Sequence, residues 1–201
     1  MSKKPDRPTE EMYRSLQRGY DHFNKTLFEG ELPQCLITLK RLKRAVGYFS
    51  PGAYRLKRGK RTTHEITLCT SWLGLKTEQD MASTLVHEMA HLWQDEFGKP
   101  GRRGYHNRQW ATKMEEVGLQ PSTTGEPGGK RTGERVTHYI IRNGVFEESW
   151  KKLKGSGYRV AWADPAKPGS SPQLRARFEC LRCHQPTIFT SPPSWLSVCR
   201  S

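Results

Sequence analysis

The chain has 201 residues, with 34 Lys and Arg against 20 Asp and Glu, so its formal net charge is +14. This length suits one domain of ordinary size with room for a small appendage. No apolar run approaches the roughly 18 residues that a membrane-spanning helix needs, so we expect no membrane association. The charged opening segment lacks the apolar stretch of a secretory signal, which favours a cytoplasmic (nucleoid-associated) or nuclear protein over a secreted one.

The first half of the chain predicts one long helix followed by several strands. From Thr9, apolar residues recur at spacings of three and four, which indicates an amphipathic helix ending near Gly30. Turn residues separate the β-rich runs that follow, and these runs predict three or four strands of an antiparallel or mixed sheet. The runs are 35–39, 45–49, 53–56 and 66–69.

Two further helices are predicted in the middle of the chain. The segment from Thr77 to Asp80 has the pattern of a capping box, and the helix it opens should run to about Phe97. A third helix should span roughly 107–117, and 121–133 is rich in Pro, Gly and Thr, as expected of a linker. Short strands are then predicted at 137–141, 145–150 and 158–163, which makes the fold class α+β.

His87, Glu88 and His91 form an HExxH motif in the second predicted helix. Residues four apart share a helix face, so both imidazoles can reach one cation, and Glu88 is offset by roughly 100°. A helical wheel places both histidines outside the apolar arc, on the polar side of a helix that is otherwise buried. The alternative is a pair of surface histidines that bind no metal.

A catalytic zinc usually takes three protein ligands, and the metzincin spacing fails because Gln94 and Phe97 occupy the required positions. The third ligand must therefore come from elsewhere. We favour His106, at a loop-to-helix junction where the ring can turn back over the preceding helix. The alternatives are Glu115 or Glu116 on the third helix, and His64 or His138.

These motifs resemble the SprT-like (Spartan-type) metalloprotease family over roughly residues 9–163. The resemblance rests on the HExxH helix, on the later Gly104-Tyr105-His106 with Trp110, and on aromatic and apolar residues before the motif. Those earlier residues are Tyr20, Phe23, Leu27-Phe28, Leu32-Pro33 and Trp72. The resemblance implies a zincin-like domain spanning 9–163 and a zinc ion held by His87, His91 and His106. It also implies proteolysis coupled to DNA, as in the removal of proteins crosslinked to DNA.

The family often carries a C-terminal zinc ribbon, and residues 174–201 are similar to one. Cys180, Cys183 and Cys199 supply three candidate ligands for a structural zinc. A second CxxC pair would need a cysteine at position 202, beyond Ser201. Three alternatives stay open: His184 substitutes, the ribbon is cut short, or the tail binds no metal.

The expected mechanism follows from charge. Zinc lowers the pKa of a bound water towards neutrality, and Glu88 would take the proton as the water attacks a peptide carbonyl. Zinc would also stabilise the developing oxyanion, and Tyr139 or Tyr105 could add a hydrogen bond there. Packing is the alternative role of both tyrosines.

The surplus positive charge favours DNA as a partner. Basic residues cluster at 40–44, 55–61, 99–103 and 151–154, and such clusters attract phosphate polyanions. We therefore expect protein substrates that are already on DNA. Two other hypotheses remain: a non-catalytic zinc-containing DNA-binding or transcription-associated factor, and a basic peptidase that meets nucleic acid only incidentally.

Overall fold

The computed structural model describes residues 7–42, 45–72 and 76–164, together with the backbone of two later strands. The chain divides into two compact units, residues 1–165 and 166–201. Among the helices in these described ranges, none is both long enough and apolar enough to cross a membrane. The architecture is α+β, as the sequence predicts.

The described residues of the first unit form four helices, three strands in a larger sheet and two strands in a smaller sheet. The helices are α1 (Pro8–Leu27), α2 (Glu78–Phe97), α3 (Arg108–Glu116) and α4 (Val145–Gly155). The strands are β1 (Leu36–Lys40), β2 (Gly47–Arg55), β3 (Thr62–Cys69), β4 (Leu119–Ser122) and β5 (Thr137–Ile140). A single 3-10 turn, Thr70–Trp72, precedes α2.

The larger sheet is mixed. Its order is β1-β3-β2, with β1 parallel and β2 antiparallel to the central β3. Ile66 and Leu68 of β3 are buried in the core that the helices share. The side chains of Glu65 and Thr67 alternate with them and point to the opposite face of the sheet. On that opposite face the Glu65 carboxylate accepts hydrogen bonds from Thr38 and Lys40. The predicted runs 45–49 and 53–56 prove to be one strand, interrupted by an irregularity between Ser50 and Tyr54.

Large aromatic side chains hold the helices together beneath this sheet. Tyr20 and Phe23 of α1, Trp110 of α3 and Phe146 of α4 are fully buried. The rings of Phe23 and Phe146 stack with their centroids 5.6 Å apart, which joins α1 to α4. Each such side chain contributes roughly 1.5–3 kcal/mol through its burial.

The predicted strand at 145–150 is wrong, because this segment opens α4. Phe146, Trp150 and Leu153 are its buried apolar residues, at a spacing of three to four that only a helix brings to one face. Acidic residues in the first turn and lysines in the last also suit the helix dipole. The predicted strand ended at Trp150 and so left out Leu153, which is needed to see the helical spacing of the apolar residues.

The predicted strand at 158–163 is also wrong, although the structure describes this whole segment. Tyr158 packs edge-on against Trp150, and the backbone N–H of Val160 donates to the Glu78 carboxylate. The backbone of this segment therefore bonds to the Glu78 side chain, where a β-strand would bond to the backbone of a neighbouring strand. The predicted linker 121–133 begins inside β4, which pairs antiparallel with β5.

The second unit contains two described strands, β6 (Ala176–Glu179) and β7 (Pro186–Phe189), which pair antiparallel. Cys180, Cys183 and Cys199 lie outside the described residues. The zinc-ribbon-like tail at 174–201 stays a prediction.

Candidate metal centre

The motif helix α2 is capped as its sequence predicts. The Thr77 hydroxyl accepts from the backbone N–H of Asp80, and the Asp80 carboxylate accepts from the backbone N–H of Thr77. This reciprocal pair satisfies two donors at the helix N-terminus. It fixes the start of a 20-residue helix that carries both motif histidines.

The structure buries the motif more deeply than a helical wheel indicates. His87 is 9 % exposed and Glu88 is 5 % exposed, because neighbouring side chains cover the polar side of α2. The Trp110 ring of α3 lies against His87 with centroids 4.9 Å apart, and His138 of β5 covers another side at 5.2 Å. The site therefore lies in an environment of low polarity.

Three histidines converge at this point. His87, His91 and His106 each offer one ligand atom, and these atoms all lie within 4.8 Å of one another. The ring centroids are 5.2 Å apart for His87 and His91, and 4.8 Å apart for His91 and His106. A divalent ion bound by three imidazoles needs this kind of grouping.

A loop far along the chain holds His106 in place. The backbones of His106 and Gly133 form an antiparallel bridge, with His106 N–H to Gly133 O at 2.8 Å and the return bond at 3.1 Å. The His106 ring Nδ1 also donates to Gly133 O, at 3.1 Å. With Nδ1 engaged, Nε2 is the ring atom left to bind a metal.

Trp110 packs against all three imidazoles of the cluster. Its ring centroid lies 4.3 Å from that of His106 and 5.1 Å from that of His91, where the rings stack. Within the described ranges, its indole Nε1 is the buried side-chain polar atom that lacks a hydrogen-bond partner. The sequence marks Trp110 as part of a motif but does not reveal that it supports every ring of the cluster.

The ligand set fits a metal chemically. Burial lowers the pKa of His87 well below its ordinary value, and the nearby rings of His138, His91 and His106 lower it further. Burial, followed by the effect of His106, lowers the pKa of His91 to about 3. Burial also lowers the pKa of His106. All three are therefore neutral at physiological pH, which is the form that binds zinc.

Glu88 lies between the two helix histidines in sequence and points towards β2. Burial raises the pKa of its carboxyl to about 8. A Cβ built on Gly47 of β2 would lie 3.0 Å from Glu88 Oε1 and 3.0 Å from the Thr67 carbonyl oxygen. A side chain at position 47 would therefore press on the carboxylate, which would have to give by a few tenths of an ångström.

The other candidate ligands lie elsewhere. Glu115 accepts from Gln120 and Arg131, and Glu116 pairs with Lys113. His64 contacts Asp95 and Glu96, which form a separate cluster with it. His138 is a neighbour of His87 and lies outside the three-histidine cluster.

The two tyrosines occupy different surroundings. Tyr105 immediately precedes His106, is 37 % exposed and lies under the guanidinium of Arg102 at 5.3 Å. Tyr139 follows His138 on β5, so strand alternation directs its side chain to the opposite face.

A polar network that sequence reasoning missed connects α2 to α3. Gln94, 3 % exposed, donates to the Asn107 side-chain oxygen at 2.7 Å, and that oxygen also caps α3 by accepting from Trp110 N–H. Asn107 donates in turn to the Lys99 carbonyl. The loop carrying His106 is thereby held at both ends. Asn107 was predictable as a helix cap, but no local signal identifies Gln94 as its partner.

A cavity of about 220 Å³ has His138, the neighbour of His87, in its lining. Leu68, Met81 and Val46 form apolar walls, and His138, Ser83 and Thr84 provide polar groups.

The sequence model of the SprT-like family matches residues 16–130, which is more than half of the chain. The chain belongs to the SprT-like family. The match covers the HExxH helix and His106. SprT-like proteins are in general zinc-dependent metallopeptidases, which agrees with a histidine cluster of this kind.

A curated relative adds a shorter similarity. A Salmonella typhimurium protein, printed as "Uncharacterized protein in mucB 3'region", is 63 % identical over 43 residues. These residues are 21 % of this chain and 58 % of the relative, so the chain spans little more than half of that relative's length.

Proposed function

We propose that this SprT-like protein is a zinc-dependent endopeptidase that cleaves proteins associated with DNA, including proteins crosslinked to it. The observation that carries the proposal is the convergence of His87, His91 and His106 within 4.8 Å, with buried Glu88 in the same motif. A purely structural zinc site has no need of such a carboxylate. This argues against the non-catalytic factor.

The residues of the site would share the chemistry. The three neutral imidazoles would hold zinc, which supplies a Lewis acid that activates water and polarises a carbonyl. The ionised form of Glu88 can accept a proton and pass it to the leaving amine; burial raises the pKa of Glu88 to about 8, which makes that carboxylate a stronger base, and the charge of a bound zinc would favour its ionised form. Either Tyr105 or Tyr139 could donate a hydrogen bond to a developing oxyanion.

Exposed basic residues support DNA as the partner. The turn joining β2 to β3 carries five cations, all exposed: Arg55, Lys57, Arg58, Lys60 and Arg61. The loop before His106 adds the exposed Lys99, Arg102 and Arg103. These groups would hold phosphates while the cleft acts on a nearby polypeptide, so location rather than sequence would select the substrate.

The test of the peptidase is Glu88→Gln, with Glu148→Gln on the exposed surface of α4 as the matched control. Cleavage of a DNA-bound protein should fall at least about 100-fold for Glu88→Gln, because proton transfer contributes that much. Zinc content should stay at the wild-type level. Unchanged cleavage by Glu88→Gln would overturn the catalytic assignment.

The test of the DNA partner is the salt dependence of DNA affinity for the full chain. Lys57→Gln with Lys60→Gln should flatten the slope of log K against log salt by roughly 1–2, since each lost phosphate contact removes about 0.9. Lys151→Gln with Lys152→Gln is the control of equal charge. Equal losses in the two variants would mean that the 151–154 cluster or the overall charge contributes as much as the β2–β3 turn, which would overturn the assignment of DNA binding to that turn. A separate assay compares cleavage of a free protein without DNA with cleavage of the same protein bound to DNA. Equal rates would favour a basic peptidase that meets nucleic acid only incidentally.

A further inference from the structure

We infer that His138 is a positioning residue that holds His87 in the tautomer whose Nε2 faces the metal. The inference rests on the proposed zinc site but not on peptidase activity. His138 lies on β5, outside the residues matched by the family model. The two rings approach each other through their Nδ1 atoms, 3.1 Å apart.

A chain of hydrogen bonds determines which ring carries the shared proton. The Ser83 hydroxyl lies 2.8 Å from the Asp80 carbonyl oxygen and must donate to it, because a carbonyl only accepts. Ser83 Oγ is then an acceptor for the Nε2–H of His138, at 2.9 Å. The far nitrogen of His138 therefore carries a proton.

A neutral His138 protonated on Nε2 has a lone pair on Nδ1. The proton between the two Nδ1 atoms then belongs to His87, since two N–H groups facing each other at 3.1 Å would repel. His87 with Nδ1–H has its lone pair on Nε2. The chain from Asp80 through Ser83 and His138 thus sets which atom His87 offers to the cluster.

The same geometry argues against His138 as a fourth ligand. Both of its nitrogens are engaged, one with His87 and one with Ser83. His106 is oriented in the same manner, by donation from Nδ1 to the Gly133 carbonyl. Two of the three ligands therefore have their outer nitrogen bound by a fixed acceptor, and partners of this kind typically change metal affinity 10–100-fold.

The experiment measures the zinc affinity of the full chain by competition with a chromophoric chelator, without any peptide substrate. His138→Phe keeps an aromatic ring but no acceptor, and zinc affinity should fall about 10–100-fold. In His138→Asn the amide oxygen can occupy the position of Nδ1, so affinity should return to within about threefold of wild type. Unfolding of the metal-free variants checks that both fold.

Nitrogen-15 NMR of the zinc-loaded protein supplies a second readout. The wild type and His138→Asn should show His87 in one tautomer, protonated on Nδ1. In His138→Phe the nitrogen signals of His87 should no longer report this single tautomer. Wild-type affinity in a folded His138→Phe, or equal losses in the Phe and Asn variants, would overturn the inference. Since no substrate is present, this outcome is independent of whether Glu88→Gln abolishes cleavage.

Discussion

Gly47 sets the position of the Glu88 carboxylate from the neighbouring strand. In Gly47→Ala the new methyl group would press on Glu88 and on the Thr67 carbonyl, each at 3.0 Å. The carboxylate must give by a few tenths of an ångström, and since a displacement near 1 Å in a reacting group can cost about 100-fold in rate, the smaller shift should cost less. We expect peptidase activity to fall by up to about 10-fold with zinc content unchanged, measured by kcat and metal analysis.

Gly155→Ala is the control for this substitution. Gly155 ends α4, has no heavy atom within 4 Å of a built Cβ, and lies far along the chain from the motif. The peptidase activity of Gly155→Ala should match that of the wild type. Full activity in Gly47→Ala would show that the carboxylate tolerates the displacement.

The connection between α2 and α3 determines where the third histidine lies. Gln94→Met keeps the volume of the side chain but removes its donation to Asn107, which leaves a buried acceptor with one partner fewer. We expect a loss of about 1–3 kcal/mol in the free energy of unfolding and weaker zinc binding. Denaturant unfolding of the metal-free chain and chelator competition measure the two effects.

Gln79→Met, in the first turn of the same helix, serves as the control and should change neither quantity appreciably. If Gln94→Met loses stability but binds zinc like the wild type, Gln94 does not help to position His106.

Glu78 joins the start of α2 to α4 and to the segment after it. Its carboxylate accepts from Lys154 and from the backbone N–H of Val160. Burial alone would raise the pKa of Glu78, but these hydrogen bonds and the positive charge of Lys154 outweigh it and lower the pKa below 4.5. The ionised form therefore stabilises the fold at pH values above 4.5, and this contribution disappears as the pH falls through the lowered pKa.

The measurement is the free energy of unfolding of wild type and Glu78→Gln between pH 7 and pH 3. The variant should be about 1 kcal/mol less stable at neutral pH, and the difference should shrink in acid. A difference that grows as the pH falls would contradict the assigned direction.

Local patterns predicted the elements that bear the motif. The capping box at Thr77, the HExxH spacing and the Asn107 cap are all short-range signals, and the helices they predict are present. α4 was misassigned because its helical period shows only when Leu153 is included. Gly133 was not predictable as the partner of His106, because it reaches the cluster by long-range folding and carries no local signature. His138 was predicted only as an alternative ligand, and its contact with His87 was not foreseen.

For the whole molecule, metal binding should couple to stability. Three ligands from α2 and from the loop before α3 meet only in the folded chain, so zinc stabilises the folded state selectively. At free zinc about 1,000-fold above Kd, the gain is about 4 kcal/mol. Removing the metal with a chelator should lower the Tm measured by calorimetry by several degrees.

His106→Ala provides the matched comparison, because it lacks one imidazole and should show a much smaller change in Tm on chelation. A wild-type Tm that does not respond to the chelator would mean that no ion is held at this cluster.

The bridge between His106 and Gly133 has a consequence for the order in which the site forms during synthesis. A chain emerging from the ribosome completes the HExxH helix well before residue 133 appears, so for that interval its third imidazole has no anchor. We therefore expect the proposed zinc centre to be complete only after residue 133 has been synthesised and its bridge to His106 has formed.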